Sequence, residues 1–239
     1  SPYSAERVVD EIEILVRKFG IKDIQMFDDT FTLDPKRTEN ICKGIIERNL
    51  DVSWNCMTRV DRVTPELLKL MAEAGCYEVG IGIESGVQRV LDFIKKDLTP
   101  EKVRNGVKWA KDAGIDVRGF FMIGFPTETK EEILETIKFA KDLDIDVAQF
   151  MISTPFPGTE MWEISKTYGT INDGDLSKFT FYAPDETLPF SSNLLSDKEI
   201  LGLYKYAFRS FYLRPKFILR QLAKLRSFND IYRNWLAAK

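Results

Sequence analysis

The chain has 239 residues, 44% of them hydrophobic, and a net charge of −3, which is enough apolar material for one domain with an appendage. It contains no histidine, which excludes a Ser-His-Asp triad, an imidazole general base and histidine-ligated zinc. No apolar run approaches the roughly 20 residues of a membrane span, and the start, Ser1-Pro2-Tyr3-Ser4, carries no signal segment, so the expectation is a cytoplasmic protein.

One unit recurs along the chain: a short β-branched and aromatic run, a loop, then a segment of helical period. The first strand is expected at KDIQMF (22–27), which stops on Asp28 and Asp29 before Asp34-Pro35 caps and opens a helix. The second, DVSWNCM (51–57), runs into Thr58-Arg59 and the cap Thr64-Pro65. The third, YEVGIGI (77–83), ends on Glu84-Ser85-Gly86, with Thr99-Pro100 capping beyond it. The fourth, DVRGFFMI (116–123), leads into Gly124-Phe125-Pro126-Thr127-Glu128, and Thr129 with Glu132 has capping-box spacing. The fifth, DVAQFMI (146–152), ends towards Pro155-Phe156-Pro157-Gly158. Gly20, Gly75 and Gly114 sit where a left-handed helix C-cap is wanted.

Strands that begin every 26–39 residues with a helix between them are parallel, because only a long crossover joins parallel neighbours. The fold class is therefore α/β, and loops leaving the C-terminal ends of its strands gather on one face, where active sites are built. Polar groups at five successive strand ends mark that face as the site. The first domain is expected over 1–159 and the second over 160–239, where an irregular stretch (160–195) gives way to a mostly helical end opened by Ser196 and Glu199.

Charge divides along the same line, since residues 203–239 hold nine Lys and Arg against the single acid Asp230. The tail reads as a helical appendage docked on its own acidic body, with contact at an anionic membrane surface as the less favoured alternative and no nucleic acid expected. GIGIESG (80–86) imitates a dinucleotide fingerprint, but its spacing is one residue too long and Glu84 would put a carboxylate against a pyrophosphate. Cys42, Cys56 and Cys76 are an odd count with wide gaps and read as reduced, small buried hydrophobes.

The segments MFDDTFT, SWNCMTRVD, LLKLMAEAGCYEVGIGIESG, VRGFFMIGFPTET and QFMISTPFPGT occur in the order and spacing of radical SAM enzymes. The resemblance is nearest to the subgroup that often carries a cobalamin-binding domain, and RSFYLRP (209–215) is similar to the helical end of that subgroup. It implies a partial parallel (β/α) barrel of which about five strands are present, with a C-terminal helical extension. S-adenosylmethionine and a [4Fe-4S] cluster would then sit at the C-terminal mouth of the strands.

Carried onto this chain, the resemblance implies that Asp28 and Asp29 meet the methionine ammonium and that Glu84 and Ser85 meet the ribose. Arg59 faces the methionine carboxylate, with Lys95 or Lys96 as rival; Phe121, Ile123 and Gly124 hold adenine, and Gln149 points towards a small-molecule substrate. The family's C-x-x-x-C-x-x-C loop, which ligates the cluster, is missing from the sequence. The expectation is a fragment that begins just past that loop, inactive by itself, whose partners are the upstream loop and a cobalamin domain of the same protein. No residue of the chain is assigned to a metal. Two other classes remain open: a cluster-free barrel scaffold, and a magnesium-dependent enzyme using Asp28 and Asp29, which lacks a glycine-rich phosphate cradle.

Overall fold

The computed structural model describes residues 2–172, 174, 179–180 and 188–224. Five strands form one parallel sheet in sequence order: β1 (Asp23–Met26), β2 (Ser53–Thr58), β3 (Cys76–Glu84), β4 (Asp116–Ile123) and β5 (Val147–Ile152). The helices between them are α1 (Ala5–Phe19) before β1, α2 (Pro35–Glu47), α3 (Pro65–Glu73), α4 (Gln88–Phe93), α5 (Pro100–Asp112) and α6 (Lys130–Asp142).

All of these helices but α4 begin where the sequence supplies a side-chain acceptor for their unpaired amides. Asp34 accepts from the N–H groups of Lys36 and Arg37, Thr64 from Leu67, and Thr99 from Lys102. Thr129 and Glu132 close a reciprocal capping box. Gly20, Gly75 and Gly114 all take positive φ; at Gly75 a Cβ would also lie 2.2 Å from the Val52 carbonyl oxygen, so only glycine serves there.

Alternation along the strands divides the sheet into two faces. Trp54, Cys56, Val79, Ile81, Ile83, Val117, Phe121, Ile123, Phe150 and Ile152 are buried beneath the helices, and Phe121 stacks on Phe150 with ring centroids 5.3 Å apart. On the other, open face, Asn55, Met57, Glu78, Phe120, Met122, Gln149 and Met151 are only half-buried.

Past β5 the structure is more regular than the sequence suggests. Within the stretch expected to be irregular lie helix α7 (Glu160–Tyr168) and a two-stranded antiparallel ribbon of β6 (Gly169–Ile171) and β7 (Phe190–Ser192). Helices α8 (Asp197–Tyr212) and α9 (Pro215–Lys224) follow, α8 opened by the Ser196–Glu199 capping box. Phe208 meets Phe150 edge to face at 5.6 Å, Phe211 is fully buried, and the Tyr212 hydroxyl donates to the Ala148 carbonyl on the outer side of β5 at 2.8 Å. Arg220 approaches Asp144 and Asp146, so basic side chains of this end do meet acids of the body. The remainder of the basic tail, 225–239, lies outside the described residues. Among the described residues no helix is long and apolar enough to cross a membrane.

Candidate functional site at the C-terminal strand ends

The first lip follows β1. Phe31 donates its N–H to the Met57 carbonyl at 2.9 Å and packs on Trp54 at 5.3 Å, while the buried Thr32 and Thr58 hydroxyls bond to each other. These contacts pin the β1–α2 loop to the end of β2 and leave Asp28 and Asp29 exposed, as is Phe27. Among the described residues neither carboxylate forms an ion pair, so both keep their acceptor capacity for an incoming cation.

Arg59 leaves β2 on the same side, where its Nε and Nη2 each donate at 2.9 Å to the two oxygens of Asp61. The guanidinium holds the Asp61 carboxyl below the usual range. Arg59 is therefore half occupied, with one edge of its fork left for a second acceptor.

At the end of the central strand the backbone is forced. The β3–β4 register shifts between Gly82 and Glu84, and Glu84 takes φ +66°, a left-handed conformation that costs a non-glycine residue about 1–3 kcal/mol. Strain of this kind persists where surrounding contacts hold it, and here Lys96 donates to Glu84 at 2.9 Å with both side chains one-fifth exposed. Gly82 clears the space: a Cβ there would lie 2.9 Å from Glu84 Oε1 and 3.1 Å from Lys96 Nζ.

Three residues expected at the cofactor stand differently in the fold. Ser85 has the parity of Ile81 and Ile83 and is fully buried with them; its hydroxyl bonds Thr136 of α6 at 2.9 Å and accepts from the Val87 N–H. Phe121 and Ile123 also point their side chains into the helix-covered core, each with no exposure. What they bring to the mouth is backbone, and the apolar side chains on the open face of β4 are those of Phe120 and Met122.

Gly124 takes φ +80° just past β4, and its N–H donates to Glu128 Oε2 at 2.7 Å, with Phe125 N–H donating to the same oxygen at 3.2 Å. Glu128 is 1% exposed and its other oxygen has no partner among the described residues. Burial pushes its carboxyl up to about 8, against the pull of the two amides. Sequence reasoning placed Glu128 in a loop and gave it no role; its signal was a carboxylate four residues beyond a strand-ending glycine.

Gln149 lies on the open face, level with Phe120 in the β4–β5 register. It lines a cleft with Gln25, Asn55, Tyr77, Glu78 and Arg118, of which sequence reasoning named only Gln149.

The cysteines stand apart from the mouth. Cys42, Cys56 and Cys76 are free thiols buried on the helix side. Burial pushes Cys42 up to about 12, and Cys56 is raised first by hydrogen bonding with Cys76 and then by burial. Neutral, buried thiols are poor iron ligands, so these residues do not fit a [4Fe-4S] cluster. Among the described residues no group of three or more Cys, Asp or Glu is placed to hold a metal ion.

Residues 1–140 match the radical SAM superfamily profile. Over 226 residues the chain is 42% identical to a protein of Pyrococcus horikoshii described as an uncharacterized methyltransferase, covering 95% of this chain and 48% of that protein. The chain thus spans about half the length of this relative. In fold it is similar to the cobalamin-dependent S-adenosylmethionine radical enzyme OxsB solved with aqua-cobalamin, at a TM-score of 0.69 and 16% identity, covering 98% of this chain and 41% of that one. It is also similar to TsrM, a radical S-adenosylmethionine methyltransferase from Kitasatospora setae solved with cobalamin and a [4Fe-4S] cluster, at a TM-score of 0.63 and 24% identity over 69% of this chain and 32% of that one.

Proposed function

We propose a function from one premise, that this chain belongs to the radical SAM superfamily: it is the part that holds S-adenosylmethionine in a longer cobalamin-dependent methyltransferase. The observation that carries the reading is the Glu84–Lys96 pair, strained into place over Gly82 at the end of the central strand.

When bound, S-adenosylmethionine supplies a methyl group or, on reductive cleavage, a carbon radical. The residues of this chain bind and orient it. Asp28 and Asp29 accept from its ammonium group, and the spare edge of Arg59 meets its carboxylate. Glu84, aimed by the Lys96 ammonium that donates to it, accepts from the ribose hydroxyls. Phe120 and Met122 give adenine an apolar face while the backbone of Phe121, Ile123 and Gly124 approaches its edge, Glu128 fixing that turn. Ser85 acts from behind through Thr136, as a positioning residue.

Cluster ligation lies outside what these 239 residues offer, so the chain alone cleaves no cofactor. The three unpaired thiols support a cytoplasmic setting. Two measurements test the reading. Calorimetry with S-adenosylhomocysteine gives binding that Glu84→Gln or Lys96→Met weakens about tenfold, as loss of a charge-assisted hydrogen bond entails. Anaerobic reconstitution with iron and sulfide gives no stoichiometric cluster and no 5′-deoxyadenosine from the 239-residue chain. Binding indifferent to both substitutions overturns the site assignment, and deoxyadenosine from this chain overturns its inactivity.

A further inference from the structure

Towards the N-terminal halves of the strands, the open face carries a second cluster that the cofactor site does not use. A cleft of about 410 Å³ is lined there by Gln25, Asn55, Tyr77, Glu78, Arg118 and Gln149. That volume lies within the roughly 300–1,000 Å³ of small-molecule sites.

The ladder brings these side chains together, since Gln25 is registered with Asn55, Asn55 with Glu78, and Phe120 with Gln149. Gly80 leaves the central strand bare, and Met57 and Phe120 close over it; a Cβ at Gly80 would lie 2.4 Å from Met57 Sδ and 3.1 Å from the Phe120 ring.

The chemistry of the lining is mixed but balanced. Arg118 Nε and Nη2 donate to the two oxygens of Glu78 at 3.0 and 3.2 Å, which cancels both charges and leaves three guanidinium N–H donors. Asn55 donates to the Tyr77 hydroxyl at 2.8 Å. An anion entering the cleft meets Glu78 and a cation meets Arg118, so neither is favoured. Carboxamides, a phenol and a charge-paired guanidinium suit a group that both donates and accepts hydrogen bonds without charge, and the Tyr77 ring offers flat apolar surface beside them.

We propose that this cleft receives a neutral, polyhydroxylated part of the substrate, sugar-like in its chemistry, while the mouth above it holds the cofactor. The role of the cleft as a substrate subsite rests on the cofactor reading of the mouth; its ligand preference does not.

The test is ¹H–¹⁵N NMR of the 239-residue chain, following the side-chain amides of Gln25, Asn55 and Gln149 and the Nε–H of Arg118. Methyl β-D-ribofuranoside and myo-inositol are titrated as polyols, and acetate and tetramethylammonium as ions. At least one polyol shifts these signals together and saturably, and the ions do not. Gln149→Leu, with its backbone spectrum otherwise preserved, weakens that binding about fivefold, as loss of one neutral hydrogen bond entails. Saturable shifts from the ions, or none from either polyol, overturn the proposal. A parallel titration with S-adenosylhomocysteine reads Gly82 and Glu84: silence there with polyol binding intact sinks the cofactor reading alone, and the converse sinks the cleft alone.

Discussion

On its helix-covered face the sheet buries Trp54, Phe121 and Phe150 completely, whereas one residue along each of the same strands Asn55, Phe120 and Gln149 stay partly exposed beside a cleft. The covered face is close-packed and answers to volume: each side chain is fixed by neighbours on two layers. The open face is held by a few polar bonds, two of them ion pairs, and by glycines that remove side chains where others must cross. Stability therefore belongs to one parity of the strands, and the recognition we propose belongs to the other.

The largest effect expected from that division is on the covered face. Trp54→Ala removes a fully buried ring whose Nε1 donates to the Ala74 carbonyl at 2.7 Å, and denaturant unfolding should record a loss of about 3–5 kcal/mol. If that variant does not fold, Ile83→Val reads the same face at about 0.5–1.5 kcal/mol. A smaller loss in both would break the contrast.

Next in size is Glu128, which accepts from the Gly124 and Phe125 amides at the turn after β4. Its carboxyl is raised to about 8 by burial, with Glu132 adding to the rise and Arg89 opposing it. A carboxyl with a raised folded-state pKa stabilises fully below its unfolded value near 4.5, and the contribution is lost as pH rises through about 8. Unfolding followed from pH 5 to 8 should show stability falling by up to about 1.4 kcal/mol per pH unit. Glu128→Gln should flatten that fall; an unchanged slope assigns it elsewhere.

Gly82→Ala sharpens the comparison, because the atoms its Cβ would meet are the ends of the flexible Glu84 and Lys96 side chains. Stability should change by less than about 1 kcal/mol while S-adenosylhomocysteine binding falls about tenfold. Arg118→Met should cost about 1 kcal/mol or less, the usual worth of a partly exposed ion pair. Asp28→Asn and Asp29→Asn, both exposed, should leave the melting curve within about 0.5 kcal/mol of the parent.

The five strands and the caps at Asp34, Thr64, Thr99, Thr129 and Ser196 could be read from the sequence because each rests on contacts a few residues apart, and the parallel sense because a helical crossover separates successive strands. So could the side of the sheet that carries Asp28, Arg59 and Glu84, since parallel topology alone sets it. Facing was harder. The doublet Phe120-Phe121 is apolar at both parities, so composition does not say which ring enters the core. The partner of Lys96 was missed because the left-handed Glu84 brings together residues twelve positions apart. Helix α7 and the β6–β7 ribbon are too short to display a period. The polar cleft is spread over five strands, one or two residues from each, and no local motif marks it.

The Tyr212 hydroxyl on the Ala148 carbonyl carries a consequence for how copies of this chain meet. A sheet edge with unused backbone groups is a template onto which a foreign strand can add. Helix α8 closes the β5 side by placing Tyr212 and Phe208 against it, so intermolecular strand addition is directed to β1, which spans only four residues with Asp23 and Gln25 exposed. A template with one short edge can cap or pair but cannot propagate. Loosening α8 would give this five-stranded sheet a second edge, and a sheet that pairs at one side only would become one able to propagate.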